Sequence, residues 1–176
     1  AELRAEMEEA GHIFQTTSDS EIFLHEIART QAPNLKEAIK KAISKLTGCF
    51  CMLILSKDTL YVARDGFAFR PLSIARLGNS WCVASETCAF DLLGANYVRD
   101  IQPGELLTIT KEGLQSETFT QKGRLAHCIF EYIYFARSDS LLDGVSVHEA
   151  RKTAGQILAR RHPVEADLVV GVPDSG

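Results

Sequence analysis

The chain has 176 residues, 45% of them hydrophobic and 24% charged, a balance that supports a packed core and excludes a disordered tail, a collagen or a coiled-coil rod. Nineteen Lys and Arg against 23 Asp and Glu leave a net charge of -4, and no basic run exceeds Arg160-Arg161, which argues against nucleic acid or an anionic membrane surface as a partner. The longest apolar run, Cys49 to Leu55, is far short of the roughly 20 residues that a bilayer-crossing helix needs.

In chain order, Leu3 and Met7 stand four apart before Gly11, the pattern of an amphipathic helix with a glycine stop. Ile13–Thr16 reads as a short strand. Ser18 followed by Glu21 fits a capping box opening a helix, and Asn34 with Glu37 repeats the device. The second box precedes a helical stripe of Leu35, Ala38, Ile39, Ala42, Ile43 and Leu46 that ends at Gly48. The period then changes. Cys49–Leu55, Thr59–Ala63, Leu72–Ala75, Trp81–Ala84 and Leu106–Ile109 are short apolar or alternating runs separated by Lys57-Asp58, Gly78-Asn79, Pro103-Gly104 and Glu112-Gly113. They predict an antiparallel meander, interrupted by a short helix from Glu86 to Leu93 that Ser85 caps.

Gln115 to Arg124 is polar and reads as a linker or an irregular excursion. Cys128–Phe135 is aromatic-rich and strand-like, Ser146 to Arg161 is helical, and Asp167–Val172 is a continuous apolar run. A helix followed by such a run begins a parallel α/β unit. Spacing alone therefore predicts an α+β layered domain joined to the start of an α/β domain. The start at Ala1 and the stop at Gly176, just after an apolar run, read as the cut ends of a fragment.

Several residues offer chemistry. Asp19 lies at a helix N-terminus, where a carboxylate either completes the cap or binds a cationic substrate group. Arg64-Asp65-Gly66-Phe67-Ala68-Phe69-Arg70-Pro71-Leu72 is either a solvated hairpin loop or a loop closing over an anionic or amide substrate. The cysteines at 49, 51, 82, 88 and 128 read as reduced, buried thiols, and Cys128 has no second ligand at zinc spacing. The five histidines are dispersed along the chain, so no Ser–His or Cys–His pair is proposed. Gly171-Val172-Pro173-Asp174-Ser175-Gly176 is a strand end entering a polar loop, where open α/β sheets bind phosphate or its magnesium ion.

Taken together, these strings carry a resemblance. Phe14-Gln15-Thr16-Thr17-Ser18-Asp19-Ser20-Glu21 looks like the substrate-pocket strand and turn of class II glutamine amidotransferases, and Arg64-Asp65 with Arg70-Pro71-Leu72 resembles their Arg-Asp…Arg-Pro-Leu loop. Ala84–Ala89 and Arg99–Glu105 fit the same domain. Cys128-Ile129-Phe130-Glu131-Tyr132-Ile133-Tyr134-Phe135-Ala136-Arg137-Ser138-Asp139-Ser140 is similar to the junction string of the family of glutamine phosphoribosylpyrophosphate amidotransferases. Val145–His148, Ala150-Arg151 and Val172–Ser175 continue that match in order.

The resemblance implies an N-terminal-nucleophile (Ntn) fold of α/β/β/α layers over residues 1–126. Residues 127–176 would then hold the junction and the first helix and strand of a type I phosphoribosyltransferase domain. It implies the first committed step of purine synthesis, a pentosyl transfer. Ammonia from glutamine displaces pyrophosphate from phosphoribosyl pyrophosphate, giving 5-phosphoribosylamine and glutamate. Position by position, Asp19 matches the carboxylate that holds the α-ammonium of glutamine, and Tyr134 matches a tyrosine near the interdomain ammonia route. Ser175 matches the hydroxyl that approaches magnesium–pyrophosphate. Cys128 matches a cysteine that ligates an iron–sulfur cluster in some members, although members without a cluster also carry it. A cytoplasmic homo-oligomer is further implied.

The sequence also departs from the family pattern. Ala1 is no nucleophile, and the strings that supply the catalytic cysteine, the oxyanion hole and the main phosphate loop are absent from these 176 residues. This chain by itself is therefore expected to catalyse neither half-reaction. Ser138 stands where a proline is common, and Gly66 and Ala68 alter the Arg-Pro-Leu loop. Two other readings remain: another class II amidotransferase acting on a sugar phosphate, and a non-catalytic glutamine-sensing module.

Overall fold

The computed structural model describes residues 2–121 and 123–172. Three helices come first: α1 (Glu2–Glu9), α2 (Asp19–Arg29) and α3 (Leu35–Ser44). Asn34 caps α3 as expected, its side chain accepting from Glu37 N at 3.0 Å. Ser18 caps α2, accepting from Ser20 N at 3.3 Å. The α2 box departs from the expected reciprocal form, because Glu21 does not reach back to Ser18. Its carboxylate instead takes the N–H groups of Gln15 and Thr16, both at 2.7 Å. That diversion accounts for a correction: residues 13–16 form no strand but lead into a bend at 15–17, with the Gln15 and Thr16 amides committed to a side chain.

Seven strands then build two antiparallel sheets where the sequence predicted one meander. Strands β1 (Cys51–Leu55), β2 (Leu60–Arg64), β6 (Glu105–Thr110) and β7 (Gly113–Thr118) pair in the order β1-β2-β6-β7. Strands β3 (Ser73–Leu77), β4 (Ser80–Ala84) and β5 (Asn96–Asp100) form the second sheet, ordered β4-β3-β5. Between β4 and β5 lies α4 (Cys88–Leu93), preceded by Thr87 with no side-chain cap bond, so Ser85 does not cap it.

Side-chain alternation explains the layering. Along β2, Tyr61 and Ala63 face α2 and α3, where they meet Phe23, Ile27, Ile39 and Ile43. Val62 points the other way and meets Leu72, Ile74 and Ile101 of the second sheet region. Leu106 and Leu107 of β6 split between the same two cores. On the far face of the second sheet, Ala75 packs on Phe90 of α4 and on Ala95. The order is helix, sheet, sheet, helix, and each fully buried Ile or Leu contributes about 1.5–3 kcal/mol. This agrees with the α+β layering expected from the sequence.

Beyond residue 119 the chain runs back over the sheets as a strap. Its backbone bonds to the 66–69 loop through Gly123 N to Gly66 O (2.9 Å), Ala126 N to Phe67 O (3.0 Å) and Cys128 N to Phe69 O (3.2 Å). Residues 131–135, expected to be a strand, form a π-helical turn closed by Ala136 N donating to Glu131 O at 3.0 Å. A small hairpin follows, with β8 (Leu141–Leu142) paired to β9 (Val145–Ser146), and then α5 (Val147–Arg161), capped by Ser146. The apolar run 167–172 is exposed and without strand pairing. A strand of a parallel sheet needs a neighbour on its hydrogen-bonding edge, and none stands beside it among the described residues.

Candidate functional site

Asp19 is the first residue of α2 and is exposed. Ser18 does the capping, so the Asp19 carboxylate is not spent on the helix end, and it makes no hydrogen bond or ion pair among the described residues. A negative charge at this position is favoured by the helix dipole, which leaves its oxygens available to a cation. The turn that presents it is held from below by Glu21, which also accepts from Thr16 Oγ1 at 2.6 Å. The Gln15 amide first, and then the Thr16 hydroxyl, pull the Glu21 carboxyl down to about 2. Behind this turn the sequence-dispersed His12 and His25 come together, Nδ1 to Nδ1 at 3.2 Å, with Phe14 tilted on His25 at 4.7 Å. A contact between histidines 13 positions apart has no local sequence signal.

The Arg64–Leu72 segment is partly solvated, with Phe67 and Arg70 exposed and Arg64, Asp65, Ala68, Pro71 and Leu72 buried. Arg64 and Asp65 are each 1% exposed. Asp65 accepts from Phe67 N at 2.8 Å and Phe50 N at 3.3 Å, which folds the loop back on itself. Arg64 donates to the carbonyls of Arg70 (2.9 Å), Ile101 (2.8 Å) and Ala68 (3.3 Å). It also forms a two-pronged pair with Asp143, both prongs at 3.2 Å. Gly104 completes the node: its N–H donates to Arg64 O and Asp65 O, and a Cβ there would meet Thr120 O at 2.8 Å. Ala68, one of the departures from the family pattern, sits at φ +51, where non-glycine residues are uncommon.

Two further clamps hold the strap. Glu86 Oε2 accepts from Arg137 N and Ser140 Oγ, both at 2.8 Å, while Thr87 Oγ1 accepts from Leu141 N at 2.8 Å. Arg70 stands 5.1 Å over the Phe135 ring, with Nη1 2.9 Å from Glu131 Oε1 but off the line of a hydrogen bond. Burial pushes the Glu131 carboxyl upward against the pull of Arg70. On the far side, Arg151 donates to Tyr132 O at 2.6 Å and Ala136 O at 2.7 Å, satisfying carbonyls of the π-helical turn. The sequence strings with the strongest resemblance thus meet at one junction. Asp143 was missed, although Asp143-Gly144 is the hairpin dipeptide that would have flagged it.

Tyr134 projects from the π-helical turn into an open groove between that turn and α5, lined also by Ile129, Ile133, His148 and Leu158, with a volume of about 1360 Å³. Cys128 lies at the start of the same segment and is half-buried. Asp19 shares no hydrogen bond or ion pair with either. Ser175 lies outside the described residues. Among those described, no three His, Cys, Asp or Glu side chains stand together as metal ligands, so Cys128 offers a single sulfur ligand. All five cysteines are free, but Cys49 is exposed and only Cys88 is fully buried. Burial raises the Cys51 thiol to about 11, which makes it a poor nucleophile. No described helix is long and apolar enough to cross a membrane.

Comparison with known proteins places this geometry. The family described as a glutamine amidotransferase domain matches residues 1–91. Amidophosphoribosyltransferase of Bacillus subtilis is 48% identical over 174 residues, which is 99% of this chain and 37% of that protein. The enzyme of the same name from Methanothermobacter thermautotrophicus is 46% identical over 176 residues, again 99% of this chain and 37% of the relative. The chain therefore spans a little over a third of these relatives. The solved structure of glutamine phosphoribosylpyrophosphate amidotransferase from B. subtilis with ADP and GMP superposes with a TM-score of 0.96 over 99% of this chain and 38% of that one.

Proposed function

The chain belongs to the glutamine amidotransferase domain family, and from that membership we propose that it forms part of an enzyme transferring glutamine ammonia to phosphoribosyl pyrophosphate. The products are 5-phosphoribosylamine, glutamate and pyrophosphate, in the first committed step of purine synthesis. One observation carries this reading above the alternatives. The likeness to amidophosphoribosyltransferases runs over 99% of the chain, so it takes in the strap and α5 as well as the layered domain, and it does so at 48% identity.

In this reading residues 1–126 are amidotransferase domain and residues 127–176 lead into a phosphoribosyltransferase domain of the intact protein. Asp19 holds the α-ammonium of glutamine by a charge-assisted hydrogen bond, for which its unshared carboxylate is suited. Glu21 fixes the turn beneath it. Tyr134 borders the path that ammonia takes to the acceptor, in a groove lined by the apolar side chains of Ile129, Ile133 and Leu158. Ser175 is the proposed hydroxyl near magnesium, and bound magnesium would supply charge neutralisation for the departing pyrophosphate. Cys128 is the proposed single ligand to an iron–sulfur cluster whose other ligands would lie elsewhere in the intact protein. The protein is proposed to act in the cytoplasm as a homo-oligomer.

The test is acceptor choice by the intact protein. Glutamine-dependent release of pyrophosphate from phosphoribosyl pyrophosphate is the expected result. Glutamine hydrolysis stimulated by a hexose phosphate, with no pyrophosphate released, would sink the reading.

A further inference from the structure

We propose that the Arg64–Asp143 pair is a positioning device that sets the strap, and with it Tyr134, so that ammonia released from glutamine reaches the acceptor; the inference rests on the function proposed above. Arg64 has five N–H donors and uses every one, on the carbonyls of Ala68, Arg70 and Ile101 and on both oxygens of Asp143. Three of those bonds fix the guanidinium to the layered domain. The other two are its grip on the strap, and a planar fork on a carboxylate fixes direction as well as distance.

Asp143 is suited to be held. It stands at φ +46 and Gly144 at φ +80, both in the left-handed region, at the tip of the two-residue turn between β8 and β9. The turn thus presents a carboxylate from a backbone conformation that few side chains adopt. His127 Nε2 lies 3.5 Å from the same carboxylate, so Asp143 also touches the strap's own entry segment.

The position of the turn passes to the π-helical turn through one residue. Leu142, next to Asp143, packs with Ala136 and Val147, with Tyr132 against the cluster. Its carbonyl accepts from Tyr132 Oη at 3.0 Å. Tyr132 lies on the same π-helical turn as Tyr134 and Ala136 closes that turn, and Tyr132, Ile133 and Tyr134 all line the groove. Shifting Asp143 therefore shifts the turn that carries Tyr134, without touching Asp19 or its supporting Glu21.

The experiment measures coupling in the intact protein: the fraction of ammonia released from glutamine that is captured in product. Asp143→Asn keeps the shape and tolerates the turn but removes the charge that the fork reads. The expected result is glutamine hydrolysis and ammonia-dependent product formation each within about twofold of wild type, with captured ammonia falling at least about threefold. Asp143→Gly, which fits the positive φ without strain, is read in the same way if the Asn variant does not accumulate. Unchanged coupling, or a proportional fall in all three rates as from general loss of structure, overturns the proposal alone. A wild-type protein that neither hydrolyses glutamine nor makes product from ammonia overturns the functional reading and this proposal with it.

Discussion

Asp19 and Glu21 are two residues apart and do opposite things with similar carboxylates. Glu21 is saturated with donors and is held near 2, whereas Asp19 has no partner among the described residues. That asymmetry makes Asp19 the group to test for glutamine. A charge-assisted hydrogen bond is worth about 1.5–3 kcal/mol, roughly ten- to a hundredfold in binding. Asp19→Asn in the intact protein should raise the glutamine KM by that factor and leave the ammonia-dependent rate unchanged. Steady-state kinetics with each nitrogen source checks it. The sequence placed Asp19 at a helix start, but it did not separate cap from ligand. Only the backbone geometry shows that Ser18 alone takes the cap.

Among the elements, local signals were read best where side chain and backbone act within one turn. The Asn34 cap of α3 was legible for that reason, and Asn34→Ala should destabilise the protein by about 1 kcal/mol in urea unfolding. Strands β5 and β7 were not legible, since Asn96–Asp100 and Gly113–Thr118 are polar edge strands whose pairing, rather than composition, makes them strands. The strap was misread in the other direction. Glu131-Tyr132-Ile133-Tyr134-Phe135 has β-favouring residues, yet tertiary bonds from Arg151 and Tyr132 hold it as a π-helical turn. The loop at 64–72 was recognised by its string, but the burial of Arg64 within it was not, because a buried arginine is legible only once its five acceptors are known.

Over the whole molecule, buried carboxylates tie elements together, Glu26 within the helical layer and Glu105 across the two sheets. Glu26, fully buried between Arg29 and Lys45, and Glu105, gripped by Arg99 and Ser116, are both depressed despite burial that opposes it. Their folded values lie below the unfolded ones, so their contribution is present above the unfolded carboxyl range near 4.5 and is lost as pH falls through the lowered values. Thermal unfolding from pH 6 downward should show the midpoint falling steeply below about 4.5, and less steeply in Glu105→Gln. The layered core was legible from hydrophobic period. The division into two sheets was not, because it depends on which strands pair across a distance in sequence.

The central claim is that nitrogen passes from glutamine to a phosphoribosyl acceptor through a protein that contains this chain. It is tested most directly by giving the intact protein glutamine labelled with ¹⁵N at the side-chain amide, together with phosphoribosyl pyrophosphate and magnesium. The account predicts ¹⁵N on the anomeric carbon of the ribosyl product, with glutamate and pyrophosphate formed in equal amounts. Labelled nitrogen recovered only as free ammonia, with phosphoribosyl pyrophosphate left intact, would contradict it.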